Sequence, residues 1–403
     1  MATGKFRTAA FLWFLFVNGA VPAFTQTAPK KIRVDLAAAM GGKVSQYVDS
    51  VIFIPLERTK EAQVRSIFQM EVTDGYFVIL DKENSTVWVF TRAGDFHADV
   101  KVGQNVFQFR LNKMNQIEID NYPETLVYNM EGALVKKMSI GGRPNTLLGV
   151  TKRELDDGHT VYYNTSLVVA KDSLIYQLLV YQGERITNYF LPYPKNYRLE
   201  PFDNVGPINF SANLHDADAG IYYMRNYDYT VYRLTPDALV PVYQFVFPVQ
   251  NSLPGDFFTD TSYNGKRMSF FIKDESGLVI SRLYRFYKKG GQLFFSDGKY
   301  SYIFDMGTQD LVCVNKIVSD PSSYNLPLTD TEADKWKKSV YLNFDGSYFY
   351  FSCSPEVMYS QRDQTGGKKN RYPPALEKFF GNGRNRTEGN PVLVQVKFKK
   401  DLR

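Results

Sequence analysis

Cysteine is nearly absent from this chain: Cys313 and Cys353 are the only two. Two thiols cannot supply the four ligands of a structural zinc site, nor can they staple a small disulfide scaffold. Both sit in apolar, strand-like text (DLVCVNKI and YFYFSCS), where a disulfide and two separate buried thiols are both open readings. Histidine is as scarce, with His97, His159 and His215 alone. The chain has no glycine-rich phosphate loop ahead of a helix, no Gly-x-Ser-x-Gly elbow and no Cys-x-x-Cys pair. Nucleotide binding and the common nucleophile motifs therefore have no support, and no catalytic residue is assigned.

Long apolar runs are missing too. The longest, AAFLWFLFV (9–17), is far shorter than the roughly 20 residues that span a bilayer. It follows Lys5 and Arg7 and precedes Val21, Pro22 and Ala23, the pattern of a secretory signal peptide over 1–23. No cysteine follows the run, so a lipid anchor on an N-terminal Cys is not expected. The expectation is an exported protein, in the periplasm or at the cell surface, with no transmembrane segment.

What the sequence has in quantity is aromatic side chains, 31 Phe and 28 Tyr with 3 Trp. Aromatic and β-branched residues suit pleated, half-buried surfaces. Beyond a lead-in over 24–50, the text repeats a hairpin. GYFVILDKENSTVWVFTRAGDF (75–96) reads as a strand over 76–80, a polar turn, a second strand over 86–90 and a turn closed by Gly94. QIEIDNYPETLVYNMEGAL (116–134) places Asp120, a strand over 125–128 and Gly132 in the same order. Further copies begin at Leu174, Gly220 and Gln292, and a sixth is split between SYFYFSCS (347–354) and NPVLVQVKFK (390–399).

Units of this length that cannot bury both faces alone read as propeller blades. The predicted fold is all-β: a six-bladed β-propeller of four-stranded antiparallel blades over 51–403. A two-sheet sandwich would not need six copies of one hairpin. The last unit lacks an outer strand, so VIFIPL (51–56) or residues 32–34 should complete it. Thr329 and Glu332 form a capping box that predicts a short helix ahead of Lys335, Lys337 and Lys338.

Read in order, these segments resemble a family of secreted, NHL-like six-bladed propellers common in anaerobic gut bacteria. IPLERTKEAQVRSI (54–67) is similar to the family's opening segment, ILDKENSTVWVFTRAGDF (79–96) to its first blade, TVYRLTPDALVPVYQFVFP (230–248) to its middle and GNPVLVQVKFK (389–399) to its closing strand. The family's Gly-Pro-Gly-Glu stretch is replaced here by KVGQNVFQF (101–109). The resemblance implies a fold and export, and no settled activity. It also suggests the ligand class, a glycan or another envelope polymer.

Candidate chemistry is thin. His215 with Asp216 and Asp218 offers one imidazole and two carboxylates close in sequence, a weak metal candidate. Asp120, Asn164, Asn209 and Asp297 would suit calcium if they faced a channel. Asn and Asp at strand ends more commonly cap turns. A basic insertion at 361–388 stands out: over 361–386, Arg362, Lys368, Lys369, Arg371, Lys378, Arg384 and Arg386 oppose only Asp363 and Glu377. Lys368, Lys369, Arg371, Arg384 and Arg386 are the candidate site for an anionic partner. The competing reading is a solvated, mobile loop that docks only Leu376, Phe379 and Phe380.

The functional expectation is a non-catalytic, monomeric binding module for a glycan or anionic polymer, with a protein partner also open and no nucleic acid. No cofactor is expected. The alternative is a calcium-dependent, lactonase-like hydrolase or a lyase working in the central channel.

Overall fold

A computed structural model describes residues 28–402, apart from 104–105, 107, 122, 140–151, 157, 164–169, 171, 196, 199–209, 213–220, 274–278, 331–340 and 366–370. Six sheets succeed one another along the chain. The first blade is Gln69–Val72, Tyr76–Asp81, Thr86–Thr91 and Phe96–Lys101. The second begins at Arg110–Leu111, the third at Lys152–Asp156, the fourth at Phe210–Ala212, the fifth at Tyr284–Lys289 and the sixth at Asn343–Phe344.

Alternate residues of a single strand serve opposite neighbours, which is why the strands read as continuous apolar text. Phe77, Val78, Ile79 and Leu80 are all fully buried. Phe77 and Ile79 pack with Tyr350 and Leu393 of the sixth blade. Val78 and Leu80 pack with Phe109, Ile117 and Ile119 beside and within the second. Burying both faces of every blade is the main stabilising contribution, at roughly 25 cal/mol per Å² of apolar surface.

Turn glycines let adjacent blades approach. Gly94 has φ +93°, and a Cβ there would lie 2.4 Å from the carbonyl oxygen of Pro55 on the sixth blade. Gly132, at φ +77°, stands in the same relation to the carbonyl of Asp99 on the first blade. The repeated glycine at these turns thus reports an inter-blade contact as well as a backbone conformation.

The ring closes through its N-terminal segment. Val48–Pro55 pairs antiparallel with Val392–Phe398, Phe53 opposite Val394, and becomes the outer strand of the sixth blade. Of the two expected closing segments, the one at 51–56 does so; residues 32–34 do not. Lys30–Arg33 instead runs parallel to Leu239–Val246 as a fifth strand of the fourth blade, and Met40–Lys43 runs parallel to Leu311–Val318 in the fifth. Two blades therefore exceed four strands, and the N-terminal segment, most of it expected as a lead-in, is woven into three blades in all.

The basic insertion leaves the sixth blade between Phe349–Cys353 and Val392–Phe398, and it contains helices Pro355–Gln364, Pro374–Gly381 and Asn385–Glu388. Leu376, Phe379 and Phe380 are buried as expected, but Met358 and Tyr359 join them. The Tyr359 hydroxyl bonds to the carbonyls of Phe379 (2.8 Å) and Asn382 (2.9 Å). Arg362 lies over both Tyr359 and Phe380 at 4.9 Å. This aromatic pocket orders what the glycine and charge content predicted as a mobile loop. The capped helix expected after Thr329 falls on 331–340, outside the described residues.

Candidate functional site

The two ends of the ring differ. At one end the described blade turns are tight, as at 73–75, 92–95, 129–133, Gly183-Glu184 and 290–291. The other end carries the connections 140–151, 193–209, 247–283, 319–342 and 354–391. Loops on a rigid scaffold are where binding groups concentrate, so the long-loop end and its channel mouth form the candidate surface.

The channel wall is built from the first strand of each blade. Gln69 donates to the carbonyl of Phe109 (2.9 Å) and to Glu71 Oε1 (3.1 Å). Asn343 donates to the carbonyl of Met70 (2.7 Å) and to Glu71 Oε2 (3.2 Å). Arg285 of the fifth blade donates to the carbonyl of Leu342, just ahead of the sixth. Arg110 binds both oxygens of Asp120 (2.7 and 2.9 Å) and also Glu118 (3.2 Å). Burial opposes the Arg110 charge, but Asp120 and Glu118 outweigh it and hold the group above its ordinary pKa. Burial raises the Tyr287 phenol; Arg285 is the largest opposing influence, and Glu71 and Arg153 also lie within electrostatic reach.

An aromatic cluster lies beside this mouth. Tyr193 stacks on Tyr197 (5.1 Å), and Tyr197 meets Phe258 (4.9 Å). Their faces are occupied by the protein's own cations: Arg225 sits 4.4 Å over Phe258 and Arg267 sits 4.3 Å over Tyr197. Arg225 is itself held by Asp228 at 2.6 Å. The cluster is thus closed packing rather than an open sugar platform. Behind it, Gln177 lines a gap of about 10 Å³, room for a single water.

Two larger hollows are open. One of about 400 Å³ lies between the sixth and first blades, with Glu57, Arg58, Asp95, Lys378 and Asn382 around Phe379. The other, of about 390 Å³, lies at the short-turn end between the second and third blades and includes Lys113, Glu154 and His159.

The structure redistributes the candidates read from sequence. Asp120 is committed to Arg110 and accepts from the Thr125 hydroxyl (2.6 Å), which removes it from a calcium set. Asp297 caps its own turn, accepting from the N–H groups of Lys299 and Tyr300 at 2.7 Å each and from the Tyr302 hydroxyl at 3.1 Å. His97 is exposed beside Tyr76, ring centroids 4.7 Å apart. His215, Asp216, Asp218, Asn164, Asn209, Lys368 and Lys369 lie outside the described residues. Among the described residues no cluster of three or more His, Cys, Asp or Glu could hold a metal ion.

Within the insertion, Arg371 and Arg384 are exposed, whereas Arg386 pairs with Asp363 and lies 5.4 Å over Tyr359. Cys313 and Cys353 are buried and unbridged, in strands of different blades. Sequence reading named Asp120 but missed its partner Arg110, whose two-residue strand shows no periodicity.

A family model described as a 6-bladed beta-propeller, DUF5128, matches residues 26–328. The chain belongs to that family. Among solved structures, a Bacteroides fragilis protein described as exported is similar over 93% of this chain and 100% of its own, at 16% identity and a TM-score of 0.62. A DUF4221-family protein from Bacteroides vulgatus aligns over 87% of this chain and 97% of its own at 10% identity and a TM-score of 0.43. A streptogramin B lyase aligns over 65% of this chain and 72% of its own at 9% identity and a TM-score of 0.34. At these identities the first likeness shows the fold alone. No curated protein matches the chain. Among the described residues no helix is long and apolar enough to cross a membrane.

Proposed function

We propose that this propeller is an exported, non-catalytic binding module for a glycan or another hydroxyl-rich envelope polymer. The observation that carries the reading is the 400 Å³ hollow between the sixth and first blades. Carboxylates (Glu57, Asp95), cations (Arg58, Lys378) and the Asn382 amide ring an apolar floor at Phe379. Closely set donors and acceptors around an apolar patch suit sugar hydroxyls and C–H faces. The exposed Arg371, Arg384 and Arg386 of the same insertion add positive charge that would favour an anionic polymer.

A glycan array tests the reading. Wild-type protein should retain a subset of envelope glycans, and Asp95→Ala with Lys378→Ala should lose them. Retention of no glycan by the wild type would overturn it. Export rests on cleavage after Ala23, and an intact mass that retains Met1 or Ala2 would count against it. The calcium-dependent alternative loses Asp120 and Asp297 to internal partners. Metal analysis of purified protein addresses what remains of it.

A further inference from the structure

Arg285 occupies a position that its own residue type disfavours. Its φ is +48°, in the left-handed region, on the first strand of the fifth blade. The pairing register of that strand slips between Tyr284 and Tyr287, so Arg285 lies in a bulge. Glycine would adopt this backbone without strain, and bulges commonly re-aim one side chain. A strained residue kept by a rigid surround is a pointer to function.

The side chain's known bonds do not account for it. One Nη donates to the carbonyl of Leu342, and the guanidinium also donates to the Tyr287 hydroxyl; neither contact requires a planar, five-donor guanidinium. Its Nε is buried with no hydrogen-bond partner among the described residues. Arg153, across the channel on the third blade, likewise has no carboxylate partner among the described residues. The acids nearby are engaged: Glu71 accepts from Gln69 and Asn343, and Asp120 and Glu118 accept from Arg110. The Tyr287 hydroxyl stands within electrostatic reach of both arginines.

We infer that Arg285 and Arg153 form an anion site at the mouth of the channel, and that its ligand is a carboxylate-bearing sugar unit. The bulge aims a guanidinium, the second cation adds to the attractive field, and the Tyr287 hydroxyl serves a neighbouring sugar hydroxyl. Paired donors on a guanidinium match a carboxylate in geometry. The sugar part rests on the binding-module reading above; the anion part does not.

The experiment is titration of the full mature chain with glucuronate, galacturonate, glucose and inorganic sulfate, followed by calorimetry and by thermal melting. Wild type should bind the uronates and not glucose. Arg285→Gly should weaken uronate binding tenfold or more while leaving the melting temperature unchanged or higher, because the substitution relieves the backbone. Arg153→Gln should weaken binding without the rise, and it keeps the test open should Arg285→Gly fail to fold. Sulfate bound as tightly as the uronates would sustain the anion site and count against a sugar ligand. Binding of no anion by the wild type, or unchanged binding in both variants, would overturn the inference.

Discussion

Asn390 and Glu57, at opposite ends of the chain, are joined by a 2.8 Å bond from the Asn390 amide to the Glu57 carbonyl. The same side chain donates to the carbonyl of Ala62 (3.1 Å) and accepts from the N–H of Val64 (2.8 Å). One buried amide thus fastens the last strand of the ring to the approach to the first blade.

Replacing Asn390 with alanine should therefore destabilise the whole ring by about 2–4 kcal/mol, since each buried partner left unmade costs about 1–3 kcal/mol. Chemical denaturation reads this directly. Asn382→Ala, on the exposed rim, should stay within about 0.5 kcal/mol of wild type.

Truncation after Asn390 removes Val392–Phe398 and strands Val48–Pro55 without its partner. Circular dichroism should then show loss of the entire fold rather than of one blade. A truncated chain that melts like the intact protein would refute closure as the source of cooperativity.

Acid should loosen the junction near Asp320. Burial resists ionisation there, but hydrogen bonds from Ser322 and Ser45 prevail and hold the carboxyl at about 2. A carboxyl lowered from its ordinary value of about 3.9 contributes stability above that pH and loses it as pH falls toward 2. Urea midpoints measured from pH 5 to pH 2 should fall less steeply for Asp320→Asn than for wild type.

Cys313 and Cys353 should both resist a thiol reagent until the protein unfolds. Burial pushes each thiol above its ordinary pKa, Cys353 furthest. Reaction with Ellman's reagent should yield almost no signal from native protein and two equivalents in guanidinium. Rapid native labelling would contradict the burial of these strands.

Within the insertion, serine at Arg371 and Arg384 should leave the melting temperature unchanged, while Arg386→Ser should lower it only slightly, through its solvent-screened pair with Asp363. Any binding of a sulfated polymer should fall with salt, since charges are screened over about 10 Å at 0.1 M.

Much of the fold was legible because blade strands bury both faces. Tyr76–Asp81 and Thr86–Thr91 carry nearly continuous apolar text, and the closing strand Val392–Phe398 is interrupted only by Gln395 and Lys397. Residues 32–34 were read as a strand with the wrong partner, and Met40–Lys43 was not read as a strand. KKIR and MGGK alternate weakly, and their parallel pairing is imposed by the edges they meet. The channel charges were hidden for a related reason: Arg110–Leu111 and Asn343–Phe344 are two-residue strands, too short for any period. The insertion misled because Gly366, Gly367 and the charges masked the packing of Tyr359 on Phe379 and Phe380.

The weaving of the N-terminal segment sets a timetable for synthesis. Lys30–Arg33, Met40–Lys43 and Val48–Pro55 leave the ribosome first, yet their partners at Leu239–Val246, Leu311–Val318 and Val392–Phe398 come far later. Each edge stays open until its partner has been made, the last of them until nearly the whole chain exists, and such distant pairings form slowly. The chain is thereby kept from locking into a ring before its last blade has been made.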